Sequence, residues 1–316
     1  MSKPITTIVT VADMIAPKDW WRLEAKSEVR YVEVENISEE ELLTHVSESD
    51  YLMIDPDAVG FVIKESFYQK VKERKLPLKA ISADITGMSW ASPDAAKKHG
   101  MLLMNTADYS TVSVAEFTLA LILVQLKQLN TVWLDRQSGK KEEPYLNDVL
   151  LGKTVGIVGL GNIGTKLAEM LKGFGVTIVG WDRNQKNLDN VKQLTIEQVM
   201  EQSDVLSIHL KTTSETKGMF GEKLLSHAKA GQYVINEADG PLVDNQAMLD
   251  AINSGKINGY ACANAAVEGS PLQGHEKVVS FPSQAWYTEH SLELLRKIWV
   301  DNVLSAIDGK PQNIVD

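Results

Sequence analysis

The chain has 316 residues, 44% of them hydrophobic and 23% charged, the make-up of a soluble protein with room for two domains. Its 42 acidic and 32 basic residues leave a formal net charge of −10, which argues against nucleic acid or an anionic membrane surface as a partner. A single cysteine, Cys262, permits no intrachain disulfide and suits a reducing, cytoplasmic compartment; the opening MSKPITTIVTVAD lacks a signal-peptide core, and the apolar run 114–126, interrupted by Glu116 and Thr118, is too short and polar to span a bilayer.

From the N-terminus, the stretches 5–11, 29–34, 51–54, 78–82 and 101–104 read as short buried strands, with helical candidates at 38–46 and 64–75 between them. Ser38, with Glu41 three residues on, forms a capping box for the first of these helices. Such a βαβα rhythm implies a parallel sheet covered by helices. The stretch 110–129 reads as one long apolar helix, and the polar 135–148 as a loop or arm. A second alternation begins at Thr154: strand 154–158, helix 162–174, strand 177–181, helix 196–201, strands 205–210 and 233–235, helix 245–254 and strand 257–261. Thr195 and Gln198 form another capping box, and Gly255 stands where a helix end favours a left-handed residue. A helix over 289–307 closes the chain. The fold class is therefore α/β, with two doubly wound parallel-sheet domains.

The strongest motif is Gly159-Leu160-Gly161-Asn162-Ile163-Gly164, directly after the apolar strand 155–158 and at the start of an amphipathic helix. Gly159 permits a tight turn, Gly161 lets the backbone approach a pyrophosphate, and Gly164 lets helix and strand pack closely. The helix N-terminus adds free N–H groups and a partial positive charge. Asp182, at the end of the next strand, is placed to accept hydrogen bonds from an adenosine ribose and to repel a 2′-phosphate. The motif thus predicts NAD rather than NADP, a preference slightly weakened by neighbouring Arg183. No His, Cys, Asp or Glu spacing suggests a metal site, and none of the Ser, Cys and His patterns suggests a covalent nucleophile.

Further segments carry a family resemblance. Asn105 to Ser110 followed by Val114-Ala115-Glu116-Phe117, Leu151 into the glycine loop, Ser207-Ile208-His209 with Thr213 and Thr216, Asn236 to Asp244, Gly259 to Cys262, and Pro282 to Glu289 occur in order. Together they resemble the D-2-hydroxyacid dehydrogenase family, especially its D-lactate and D-2-hydroxyisocaproate branch, over nearly the whole length. The resemblance implies a flavodoxin-like substrate domain over 1–107 and 288–316 and a Rossmann NAD-binding domain over 108–287. Independently of the resemblance, the apolar helix 114–129 and the arm after it are expected to form a two-fold homodimer, since a helix this hydrophobic needs burial on several sides. The resemblance also implies that His209, Asn236 and Ala238 line the cofactor with the glycine loop. The family's second carboxylate-holding loop corresponds to Thr86-Gly87-Met88, its substrate-facing tyrosine to Tyr109, and Trp286 would wall the substrate pocket.

Family catalysis uses a histidine to move the proton, a glutamate to hold it, an arginine to grip the substrate carboxylate and an aspartate to steady the nicotinamide. Here the glutamate is present as Glu268. The arginine position is Asp239, the aspartate position is Ala263 with Asn264 beside it, and the histidine position is Ser283. An arginine-to-aspartate change turns attraction for a carboxylate into repulsion, each unit-charge contact being worth roughly 4 kcal/mol at about 4 Å and an effective dielectric near 20. Serine does not replace histidine as a general base near neutral pH. Asp239 and Glu268, with Glu237 as a third carboxylate, are expected to share a pocket that handles protons and welcomes a cationic group. The sequence therefore predicts an NAD-binding, oxidoreductase-type enzyme acting on a non-standard small molecule, amine-bearing substrates included. Two alternatives stay open: NAD chemistry without net redox, such as epimerisation, elimination or cyclisation, and an NAD(H)-sensing regulatory protein.

Overall fold

A computed structural model describes residues 3–11, 17–140, 145–238, 240–263 and 267–315. The chain begins with β1 (Ile5–Thr10), α1 (Pro17–Lys26), β2 (Glu28–Glu33), α2 (Glu39–His45), β3 (Tyr51–Ile54), α3 (Glu65–Glu73), β4 (Ala80–Ala83), α4 (Pro93–Lys98) and β5 (Leu102–Met104). Two helices follow, α5 (Thr111–Leu126) and α6 (Leu129–Gln137), then β6 (Thr154–Val158), α7 (Asn162–Met170), β7 (Thr177–Trp181) and β8 (Lys192–Gln193). Next come α8 (Ile196–Gln202), β9 (Val205–Ile208), α9 (Glu222–Leu225), β10 (Gln232–Asn236), α10 (Asn245–Asn253), β11 (Ile257–Cys262), β12 (Val278–Ser280) and α11 (Glu289–Ile307). These elements group into two compact units, Met1–Ser110 with Glu289–Asp316, and Thr111–Thr288.

The first unit holds a parallel five-stranded sheet in the order β2-β1-β3-β4-β5. Side chains alternate across it as the strand period requires. Ile8, Tyr51, Met53, Ala80 and Met104 pack on one face with Leu23 of α1 and Trp299, Val300 and Val303 of α11. Val9, Leu52, Ile54, Ile81, Ala83 and Leu103 face the opposite way, onto α2, α3 and α4. The indole of Trp299, fully buried, donates to the Ser82 carbonyl at 2.8 Å and ties α11 to β4.

The second unit holds a parallel seven-stranded sheet in the order β12-β11-β10-β9-β6-β7-β8. On one face Val155, Ile157, Val205, Ile235 and Ala261 pack against α5 and α7. On the other, Val158, Leu206, Ile208, Val234 and Cys262 meet α8, α9 and α10. Cys262 is a fully buried strand residue.

Both capping boxes form as expected: Ser38 with Glu41 starts α2, and Thr195 with Gln198 starts α8. Gly255 follows α10 at φ 76°. The expected single helix over 110–129 is a correction. It ends at Leu126, Gln128 takes a left-handed φ of 50°, and α6 departs at 64° to α5. Apolar content continues through the break, so composition did not mark it; the first residues of the expected arm, Asp135 to Gln137, are helical. No single helix among the described residues is long and apolar enough to cross a membrane.

Candidate functional site

In the second unit the glycine loop joins β6 to α7. Gly159 sits at φ 100°, donates its N–H to Trp181 O (2.8 Å), and leaves no room for a side chain, since a Cβ would lie 2.6 Å from His209 O. Gly164 is tighter: a Cβ there would stand 2.1 Å from Gly159 O, which is how close α7 lies to the strand it follows. Gly161, by contrast, opens on free space and makes no side-chain cap at the N-terminus of α7, the end of a helix that suits an anion.

At the end of β7, Asp182 accepts the Leu160 N–H through one oxygen (3.0 Å) and the Asn184 N–H through the other (2.9 Å). These bonds hold the carboxylate against the loop. The Arg183 guanidinium is exposed and stands 3.8 Å from the Glu215 carboxylate. On the other side of β6, at the end of β9, His209 shares a hydrogen bond through Nε2 with Ser207 Oγ (2.7 Å), while its Nδ1 is buried without a partner among the described residues. Burial holds the ring neutral, with its pKa lowered to about 4.

The end of β10 carries the next group. Asn236 is fully buried; its amide donates to Tyr260 Oη (3.2 Å) and accepts from the Ala238 N–H (3.1 Å), so it shapes the turn that presents Ala238. Between them, Glu237 accepts the Ala263 N–H, and its Oε1 is buried without a partner among the described residues. Burial pushes its pKa up to about 8, so the carboxyl is mostly protonated at neutral pH. Ala263 is buried in a small apolar cluster with Val114, Ala285 and half-buried Trp286 and Ile163. Trp286 also meets Tyr287 edge-on at 5.2 Å. Ser283 and Glu268 are exposed. Asp239 and Asn264 lie outside the described residues.

In the first unit, the Thr86-Gly87-Met88 loop follows β4. Thr86 donates to Thr106 O (3.2 Å), Asn105 donates to Thr86 O (2.8 Å), Gly87 opens on free space, and Met88 is buried. The loop sits beside acids that sequence reasoning passed over. Asp84 is buried, and desolvation with nearby Asp55 and Asp57 raises its pKa well above the usual range. Asp55, at the end of β3, is raised by burial as well. Half-buried Tyr109 feels Asp84, and burial lifts its phenol to about 12, so it remains a proton-bearing donor. The available signal was position: Asp55 and Asp84 each follow a fully buried strand, at the carboxyl edge where open parallel sheets bind ligands. Among the described residues no cluster of three His, Cys, Asp or Glu side chains suits a metal ion.

Comparison with known proteins agrees with this geometry. The description "D-isomer specific 2-hydroxyacid dehydrogenase, NAD binding domain" matches residues 119–290, more than half of the chain. D-lactate dehydrogenase of Treponema pallidum is 28% identical over 255 residues, covering 74% of this chain and 77% of that protein. Among solved structures, D-2-hydroxyisocaproate dehydrogenase aligns with a TM-score of 0.83 at 24% identity, covering 98% of this chain and 99% of the other. An acyclic imino acid reductase in complex with NADPH and D-Arg aligns with a TM-score of 0.86 at 23% identity, covering 99% and 100%. The second unit is accordingly an NAD-binding domain. The open Gly161, the uncapped α7 N-terminus and the buried free Nδ1 of His209 fit a dinucleotide.

Proposed function

The chain belongs to the D-isomer specific 2-hydroxyacid dehydrogenase family, and on that premise we propose that it is an NAD-dependent oxidoreductase acting at a CH–OH or CH–NH carbon. Its substrate is a small molecule with a cationic or neutral polar group where ordinary family substrates carry a carboxylate. What supports this reading is a reversal of charge in the sequence: the resemblance puts Asp239 at the position of the family's carboxylate-gripping arginine. The imino acid reductase shows that the fold accommodates imine reduction and a guanidinium-bearing ligand; at its level of identity the likeness is one of fold.

In this reading Gly159, Gly161, Asn162, Ile163 and Gly164 hold the pyrophosphate of NAD, and Asp182 holds the adenosine ribose. His209, Asn236 and Ala238 line the rest of the cofactor. Bound NAD supplies hydride transfer to or from the substrate carbon. Asp239 pairs with the substrate's cationic group, and Asp239 or Glu268 takes and returns the proton. Tyr109 donates a hydrogen bond, because its phenol stays protonated throughout the neutral range. Ser283 offers a hydroxyl where the resemblance puts the family's base, and Trp286 gives an aromatic wall.

The assembly in this reading is a homodimer. Along α6 no residue is buried, and Leu129, Trp133 and Leu134 are each at least half exposed, with Leu146 beyond them almost wholly so. Apolar surface of this kind on one helix and its arm fits a two-fold partner.

The test is a substrate panel with NADH: pyruvate and 2-oxoisocaproate against carbonyl compounds and imines that carry an amine or guanidinium in place of the carboxylate. Turnover is expected with the cationic set and little or none with the simple acids. Brisk reduction of pyruvate would overturn the reading, since it would require a carboxylate to be held despite Asp239.

A further inference from the structure

The sheet order gives the two halves of the cofactor separate ground. The pyrophosphate belongs at the α7 N-terminus, directly after β6. Asp182, which takes the adenosine ribose, ends β7 on one side of β6. The nicotinamide half then runs to the other side, over the carboxyl ends of β9, β10 and β11. The residues that follow those three strands in register are His209, Glu237 and Ala263.

Of these, Ala263 offers only a methyl group, packed among apolar side chains. His209 is already engaged with Ser207 through one ring nitrogen. Glu237 alone brings a carboxyl. One of its oxygens takes the Ala263 N–H, and the other is sealed from solvent with no partner among the described residues. A buried polar atom without a partner is costly and calls for an explanation, and at the carboxyl end of a strand in a cofactor-binding sheet a bound group supplies one. Tyr260 of β11 lies near enough to feel its charge, and no opposite charge among the described residues explains the carboxyl.

We infer that Glu237 acts as a neutral carboxylic acid that pairs with the carboxamide of the nicotinamide, replacing from β10 a polar group that β11 lacks at Ala263. A carboxylic acid and a carboxamide each present one donor and one acceptor in a plane, so the two match through paired hydrogen bonds. The high pKa of Glu237 is consistent with this, because the acid form supplies the donor at neutral pH. Glu237 is thereby a positioning residue for the cofactor. The inference rests on the NAD site and is independent of the substrate.

The test measures affinity, by calorimetry at pH 7, for NADH and for ADP-ribose, which lacks the nicotinamide. Glu237→Leu is expected to weaken NADH roughly three- to tenfold, the worth of a net hydrogen bond or two, and to leave ADP-ribose unchanged. Glu237→Gln keeps a donor and an acceptor and is expected to retain most of the NADH affinity. Equal changes for both ligands, or no change for either, would overturn the inference. Loss of NADH affinity in Glu237→Gln as large as in Glu237→Leu would also overturn it, and so would misfolding of both variants, which would make the carboxyl structural. If the unaltered protein bound neither ligand, the NAD site itself would fall, an outcome distinct from the others.

Discussion

The Asp182 carboxylate and the Leu160 N–H are joined at 3.0 Å, so the acid that ends β7 also braces the glycine loop after β6. Asp182→Ala therefore has two effects. Loss of the brace falls on NAD and NADP alike, whereas loss of the ribose contact falls on NAD alone. A hydrogen bond to a charged group is worth about 1.5–3 kcal/mol. NAD affinity is expected to drop at least tenfold more than NADP affinity in calorimetric titrations. Equal losses would remove the ribose from Asp182 and leave the brace as its role.

Gly164→Ala tests the contact between α7 and the loop. The added Cβ would meet the Gly159 carbonyl oxygen at 2.1 Å, and backbone on both sides cannot yield cheaply. Overpacking of this kind costs roughly 1–3 kcal/mol or more. Urea denaturation is expected to show a loss at or above the top of that range, together with impaired NAD binding. A variant as stable as the parent would mean that α7 shifts freely.

Two buried groups set opposing pH slopes on stability. For Glu237 the ordinary pKa near 4.5 rises to about 8. Between those values the unfolded chain has released the proton and the folded chain keeps it, so stability falls as pH rises, by at most roughly 1.4 kcal/mol per unit. For His209 the pKa drops from 6.5 to about 4. Between those values the unfolded chain holds a proton that the folded chain refuses, so stability falls as pH falls. The two slopes oppose each other where they overlap, and from pH 6.5 to 8 the Glu237 slope acts alone. Glu237→Gln is therefore expected to gain on the parent steadily over that interval in urea titrations. Parallel profiles would show that the carboxyl ionises normally.

Restoring the family's charges tests the altered chemistry. Asp239→Arg with Ser283→His is expected to raise reduction of pyruvate and 2-oxoisocaproate from near zero to a measurable rate. Both changes are needed because the two roles act as a unit and single restorations need not add. Ala263 caps the gain, since it leaves the nicotinamide end without the family's aspartate. A double variant that binds NADH yet reduces none of these acids would show that charge at 239 and 283 is not what sets the substrate.

The assembly is open to a direct measurement. Trp133→Asp with Leu134→Lys places charge on the bare face of α6 without touching a buried side chain. Light scattering at micromolar concentration is expected to give a dimer for the parent and a monomer for the variant. A monomeric parent would contradict the proposed dimer.

Short-range physics made much of this chain legible. The strand, turn and helix around Gly159 to Gly164, and the capping boxes at Ser38 and Thr195, depend on residues a few positions apart, so local pattern was enough to locate them. The order of segments pointed to two parallel sheets, because alternating strands and helices have few other ways to bury their apolar faces. The bend at Gln128 escaped notice because apolar residues continue on both sides of it, and only packing decides which of them α5 buries. The chemical state of Glu237, Asp84 and Asp55 was hidden for a related reason. A carboxyl's proton affinity is set by what surrounds it, and here the surroundings come from strands distant in sequence: Ala263 for Glu237, and Asp55 and Asp57 for Asp84. Residue type and order thus determined where the cofactor loop lies and which charges the site carries. Tertiary structure decided which of those acids are desolvated, because burial is a property of the folded chain and of no local stretch within it.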